Sequence, residues 1–168
     1  MLRAERRFDE AITEFERALA LDPSRTEVFG FLGGAYVEMG QYEKAIEFLG
    51  KSILLSPRDP NLSSWYFAKS YAYFSLQQDD QAIEWARQSI AVNPNFSASR
   101  AVLAAALALT GHEAEARDEE QRRNAVSPFK SIKAAKAVLT PPPSADLRVR
   151  AAFERLIEGL RKAGMPEE

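Results

Sequence analysis

Leu21-Asp22-Pro23, Leu55-Ser56-Pro57, Val92-Asn93-Pro94 and Val126-Ser127-Pro128 are four near-copies of one apolar–polar–proline ending. The prolines lie 34, 37 and 34 residues apart. Proline cannot continue a helix, so each copy reads as a point where a helix stops and the chain turns. A fixed period of this size marks a stack of repeated units rather than a single bundle. The middle spacing reads as the same unit with a three-residue insertion at 60–62.

Outward from these endings, the same residue types recur in phase. Residues 26–59 carry Phe29, Leu32, Gly33, Tyr36, Gly40, Ala45, Leu49, Ser52 and Pro57. Residues 63–96 carry Tyr66, Ser70, Tyr73, Ala82, Ala86, Ser89 and Pro94, and residues 97–130 carry Leu103, Ala104, Leu107, Gly111, Ala116 and Pro128. A partial copy, Ala11, Phe15, Ala18 and Pro23, opens the chain. Small residues at Gly33, Ser70 and Ala104, answered by Ala45, Ala82 and Ala116, allow two helices to approach closely. Tyr36 and Tyr73 fill the space between helices. Gly40 and Gly111 suit a left-handed turn after the first helix, where Gln77 stands in the middle unit. Ser24 and Glu27 fit a capping box for a helix starting near residue 25.

This pattern resembles the tetratricopeptide repeat, a helix-turn-helix unit of 34 residues. The resemblance implies an all-α, right-handed solenoid of about nine helices. Residues 1–25 supply the second helix of a truncated first repeat, with 1–6 giving at most the last turn of its first helix. Full repeats follow at 26–59, 63–96 and 97–130, and residues 131–168 hold a short helix, a proline-rich linker and a C-terminal helix. The resemblance also implies a concave groove lined by the first helix of each repeat. Its positions here are Glu27, Gly30, Gly34, Val37 and Glu38, then Ser64, Phe67, Tyr71, Phe74 and Ser75, then Ala98, Ala101, Ala105, Ala108 and Leu109. An aromatic strip between walls of small residues has room for a helical or extended peptide, or the small residues serve only tight curvature. Gly30 and Gly34 are expected to present nearly bare backbone. The carboxylate clamp of chaperone-binding repeats needs asparagine where Gly34, Tyr71 and Ala105 stand, which argues against that ligand.

Beyond Pro128, Phe129 to Leu139 read as a short helix and Thr140 to Ser144 as an extended, stiff linker through Pro141, Pro142 and Pro143. The last helix, near 146–163, has an apolar stripe of Val149, Phe153, Leu156, Ile157 and Leu160, ended by Gly164 and Pro166. Solenoids need a terminal cap, so this helix is expected to close the end of the stack. The alternative is that it folds back into the groove. At the other end, Phe8, Ile12, Phe15 and Leu19 are expected to be left partly wet, and to be covered by another molecule or a second copy. A start inside a repeat suggests a fragment of a longer protein.

Two stretches resemble something narrower. Ser56-Pro57-Arg58-Asp59-Pro60 with Trp65-Tyr66-Phe67, and Glu158-Gly159-Leu160-Arg161-Lys162-Ala163-Gly164-Met165-Pro166-Glu167, are similar to the C-terminal repeat region of bacterial class III adenylate and guanylate cyclases. Related tails occur behind winged-helix transcription regulators. The resemblance implies an upstream catalytic or DNA-binding domain. None of the cyclase's catalytic residues can be matched here.

Composition narrows the chemistry. A net charge of −2 gives no case for nucleic acid or an anionic membrane. There is no cysteine, and His112 is the single histidine, so no thiolate or histidine metal site can be assembled. No stretch is apolar enough to span a membrane, and a cytoplasmic location is expected. Asp79-Asp80 reads as a favourable helix start. Asp118-Glu119-Glu120 reads as a solvated acidic face. The basic run Arg122, Arg123, Lys130, Lys133 and Lys136 reads as a solvated face or a docking patch. His112 reads as a solvated turn residue, and Trp65 and Trp85 as packing residues. No catalytic, cofactor or metal residues are assigned. The expectation is a protein-interaction or oligomerisation module, the regulatory tail of a cyclase-like protein. The alternatives are a structural spacer, the tail of a transcription regulator, or part of a cyclising enzyme.

Overall fold

The computed structural model describes the backbone of residues 2–168 and the side chains of residues 7–168. Among these residues there are nine helices and no strand: α1 (Leu2–Leu21), α2 (Glu27–Glu38), α3 (Tyr42–Leu55), α4 (Leu62–Ser75), α5 (Asp79–Val92), α6 (Ser97–Leu109), α7 (Glu113–Val126), α8 (Ile132–Leu139) and α9 (Leu147–Lys162). Helices α2/α3, α4/α5 and α6/α7 are hairpins, and each hairpin packs on the next through α3 on α4 and α5 on α6. The first helices of the hairpins also touch one another, α2 on α4 and α4 on α6. The stack is therefore the solenoid that the period requires.

The small residues explain the hairpins. A side chain at Gly33 would place its Cβ 2.5 Å from Leu49 Cγ and 3.1 Å from the Leu49 backbone nitrogen, so α2 and α3 can meet there only without one. In the next unit the buried Ser70 hydroxyl donates to the Ala82 carbonyl at 2.8 Å, turning a close approach into a satisfied polar contact. Ser89 Oγ lies 2.7 Å from the Ser63 carbonyl and 2.6 Å from Ser99 Oγ, which pins α5 to both neighbours.

The turns repeat one solution. Gly40, Gln77 and Gly111 have φ of 71°, 60° and 85°. The next residue's N–H returns to the carbonyl near the end of the first helix, Gln41 to Tyr36, Gln78 to Tyr73 and His112 to Leu107, at 2.9, 3.0 and 2.9 Å. This bond satisfies a carbonyl that the ending helix would leave unpaired. The capping box does not form. Ser24 Oγ donates to Asp22 Oδ1 at 2.6 Å, α2 begins at Glu27 behind Thr26, and Glu27 pairs with Arg25. A turn stabilised by Asp22 has taken the serine.

Three other expectations change. The backbone of Leu2 to Arg6 continues α1 and makes no turn of a preceding helix. Glu119 and Glu120 are not solvated, with exposures of 6% and 5%, and Arg123 at 3% belongs to no solvated basic face. Arg123 forks onto both Glu120 oxygens, while Glu119 is shared by Arg100 and Arg122. The acidic run and the start of the basic run are therefore buried ion-pair partners rather than two solvated faces.

Finally, α9 does not cap the stack. It packs on α6, α4 and α8. The physical reason lies in α7, whose sequence Glu-Ala-Glu-Ala-Arg-Asp-Glu-Glu-Gln-Arg-Arg-Asn-Ala-Val offers almost no apolar surface for a cap to bury. The stripe of α9 finds that surface on α4 and α6 instead. At the opposite end Ile12, Phe15, Ala18 and Leu19 pack on the core around Leu32, Leu49 and Tyr36 and are half-buried, which leaves that face partly wet as expected.

A left-handed conformation at a non-glycine residue costs roughly 1 kcal/mol or more. Gln77→Gly is therefore expected to raise stability by about 1 kcal/mol, less what the freer unfolded chain takes back. Gln77→Val is expected to lower it. Urea unfolding midpoints of the two variants check this.

Candidate functional site

The concave face is formed by α2, α4 and α6, and α9 lies across it. The first turn of α9 sits on the α2–α3 turn. Tyr42 Oη donates to the Arg148 carbonyl at 3.3 Å, and the Arg148 guanidinium reaches both Glu43 oxygens at 2.8 and 3.0 Å. Gly40 makes room: a Cβ there would lie 3.2 Å from Val149 and 3.3 Å from Arg148 Cβ. The middle of α9 is fixed by Arg155, which donates to the Phe74 carbonyl at 3.1 Å and to Asp79 Oδ2 at 2.7 Å, with its guanidinium 4.2 Å from the Phe74 ring centre. Asp79 thus anchors α9 as well as starting α5. The last turns meet α6 with only the Ala105 methyl between them, because a Cβ on Gly159 would fall 2.5 Å from Ala105 Cβ. Phe153, Ile157, Leu160 and Met165 are buried in one cluster with Phe74, Ala105 and Ala108.

The chain end completes the attachment. Gly164 turns at φ 99°, Met165 is buried, and the Pro166 and Glu167 carbonyls accept the Ile132 and Lys133 N–H groups at 2.8 and 3.0 Å. These are two of the unpaired donors at the start of α8. The stretch from Glu158 to Glu167 therefore has a local physical role: a close approach at one glycine, a reversal at the other, and a cap for the helix beneath.

Each expected groove residue can now be placed. Val37, Phe74, Ala105 and Ala108 are buried, whereas Glu27, Gly34, Ser64, Phe67, Tyr71, Ala98, Ala101 and Leu109 keep partial exposure, as does Ser75. On α4 and α6 the buried positions are those near the C-terminal ends, where α9 lies. The positions one or two turns earlier stay open. Gly30 is an exception and corrects the expectation of bare backbone: a Cβ there would overlap the Trp65 ring, which fills the space. Gly34 is open, with no atom within 4 Å of a Cβ built on it. Glu38 keeps more than a third of its surface exposed and lines a separate cavity beside the α2–α3 turn, whose walls take part of the water from its carboxyl. The strip along Gly34, Phe67 and Ala101 is therefore the uncovered part of the groove. Its aromatic floor runs Phe96, Phe67, Tyr71, Phe74, with ring centres 5.3, 6.3 and 6.4 Å apart.

Burial pushes the Tyr71 and Tyr42 phenols above their usual range. Burial also raises the Glu38 carboxyl, whereas the Arg148 hydrogen bond lowers that of Glu43. Phe96, Arg148 and Arg155 were not among the residues expected at the site. Gly159 alone carried a signal, a glycine inside an amphipathic stripe.

Two glycines separate closeness from openness. Gly159→Val forces α9 off Ala105 and is expected to cost about 1–3 kcal/mol, with faster amide exchange through α9. Gly34→Ala meets nothing and is expected to gain up to about 1 kcal/mol from helix propensity. Glu38 supplies a pH test. Its folded pKa is raised, so the stability linked to its protonated form is present below the ordinary glutamate range and is lost as pH rises through the folded value. Glu38→Gln is expected to raise Tm at neutral pH and to leave it unchanged in acid, read from melting curves at both.

The tetratricopeptide repeat model matches residues 2–65, and a second model of the same repeat matches residues 65–96. Among curated proteins, the small glutamine-rich tetratricopeptide repeat-containing protein 2 of Mycosarcoma maydis is 31% identical over 112 residues, 66% of this chain and 31% of that protein. Cellulose synthase operon protein C of Escherichia coli (strain K12) is 30% identical over 76 residues, 44% of this chain and 7% of that protein. The chain spans less than a third of the length of the curated relatives it matches. Among solved structures, MamA matches with a TM-score of 0.68 at 23% identity, covering 96% of this chain and 90% of that one. YrrB, described as a TPR protein with an unusual peptide-binding site, matches at 0.64 and 17% identity over 94% and 80%. With the in-phase repeats, the three stacked hairpins and both repeat models in agreement, the chain belongs to the tetratricopeptide-repeat family.

Proposed function

We propose that the chain is a non-catalytic protein-interaction module that takes a polypeptide segment along the uncovered strip of its concave face, beside α9. The observation behind this reading is the burial gradient on α4 and α6. Phe74, Ala105 and Ala108 are sealed by α9, while Phe67, Ala98 and Ala101 are not. In this reading α9 is a wall of the site rather than a bound guest. Arg155, the Gly159 contact and the tail carbonyls on α8 hold it at three separated points. The remaining strip has one open glycine, a row of aromatic edges and small alanines. That suits apolar side chains at helical or extended spacing, with little sequence selectivity from charge.

Around this module stand finer readings. The two motif stretches support its being the regulatory tail of a cyclase-like protein. The half-buried apolar face of α1, with Leu21 exposed beyond it, supports pairing between copies at that end. A cytoplasmic setting fits the same parentage. The gene sequence upstream of Met1 decides the parentage, and light scattering over a concentration range decides the pairing.

The test of the module uses a photo-reactive residue placed at Gly34 or Ala101, with Asp118 on the far side as control. Partner crosslinks are expected from the first two positions, and Phe67→Glu is expected to abolish them. Crosslinks from Asp118 alone would show that binding uses another face.

A further inference from the structure

One core position breaks the repeat. Leu32 and Leu103 hold the same place in residues 26–59 and 97–130, and both are buried, at 0% and 3% exposure. In residues 63–96 that place is Lys69, and it is buried as well, at 9%. Its ammonium lies 3.9 Å from the centre of the Trp85 ring, which packs against Tyr66 with ring centres 5.5 Å apart. Among the described residues that ammonium has no hydrogen-bond or ion-pair partner. Burial pushes it below the usual lysine range, and the field of Glu84, exposed on α5, opposes the shift without making a contact.

A second departure from the repeat faces the first. Gly50 lies inside α3, where glycine weakens a helix. The corresponding places in the next two repeats hold Arg87 and Gln121, both long and polar. A Cβ built on Gly50 would meet Lys69 Nζ at 3.5 Å and nothing else within 4 Å. The missing side chain therefore leaves a notch on the side of the stack away from the concave face, with the Lys69 ammonium at its bottom. Leu54, one turn further along α3, is 79% exposed beside it.

From this pairing we infer that the notch at Gly50 is a docking point for an acidic side chain of a partner polypeptide, whose carboxylate meets Lys69. An ammonium carries three donors. The face of Trp85 attracts its charge but offers no oxygen to those donors. A buried charge left without an acceptor is costly, and an anion brought by a partner removes that cost. The notch has the width of one side chain, so a side chain from another chain fits it. Leu54 and Trp85 give apolar surface to the neighbour of the acidic residue. The site lies across the stack from the strip along Gly34, Phe67 and Ala101, and neither depends on the other.

The experiment titrates the full-length, ¹⁵N-labelled chain with acetyl-Leu-Glu-Leu-amide, and in parallel with the same peptide bearing glutamine in place of glutamate. Saturable shifts are expected at the Gly50 and Leu54 amides and the Trp85 indole N–H. The glutamine peptide is expected to bind roughly tenfold more weakly, the scale of one hydrogen-bonded contact to a charge. Two variants that keep the fold remove this preference. Lys69→Leu installs the residue that both neighbouring repeats carry, and Gly50→Gln fills the notch while leaving Lys69 in place. Equal affinity for the two peptides in the unmodified chain overturns the inference. So does a preference that survives in Lys69→Leu, shifts confined to Phe67 and Ala101, or no saturation at millimolar peptide.

Discussion

At Gly159 and Ala105 two helices meet with a methyl group on one side and nothing on the other. The placement of α9 depends on that approach. A side chain at Gly159 would lift the helix from α6 and pull Arg155 away from Asp79 and the Phe74 carbonyl. The alanine-rich wall of α6 then has a reason beyond curvature. Ala104, Ala105, Ala106 and Ala108 are buried because neighbours press on α6 from several sides: its own hairpin partner α7, the preceding α5 and α4, and the returning α9. A larger residue on either face would evict one of them.

This constraint connects the two ends of the stack. A solenoid built from hairpins has apolar surface left over wherever the repeat stops. Here α7 ends the repeats with buried ion pairs in place of an apolar face. Arg123, Glu120, Ser127 and the Phe129 carbonyl form one connected polar network at its last turn. Each member is satisfied by another, which is what makes burying them tolerable. With that end sealed by polar contacts, the amphipathic C-terminal helix must go where apolar surface remains, on the inner face.

The repeat itself was legible in the sequence because its signals are redundant. Proline endings, turn glycines and small residues all restart in phase, so a single exception such as Gln77 does not hide the turn. The helices were placed for the same reason. Three features were not legible. The burial of Glu119 and Glu120 depends on which side of α7 meets Arg100, and Arg100 lies 19 residues from Glu119 in sequence. Trp65 filling the space over Gly30 is a contact between successive repeats, and a helix glycine looks the same whether open or covered. The position of α9 was left between two options because its stripe fits any apolar surface. The choice rests on what α7 lacks, which is a property of another segment.

The site inherits this layout. A groove shared with a fixed helix is narrower than an open one and has two chemically different edges. One edge is α9, where Arg155 is tied to Asp79 and the Phe74 carbonyl; the other is the N-terminal ends of α2, α4 and α6. The aromatic row from Phe96 to Phe74 starts in the open part and ends beneath α9. A ligand following that row runs into the α9 helix, so its length on the strip is limited by the chain itself. Selectivity in such a site comes from shape more than charge, because the small residues at Gly34 and Ala101 accept bulk while α9 limits where the bulk can extend. On the other side of the α2–α3 turn the same helix α9 forms, with its first turn, one wall of a separate cavity. One element therefore borders both surfaces, and its fixed attachment sets the distance between them.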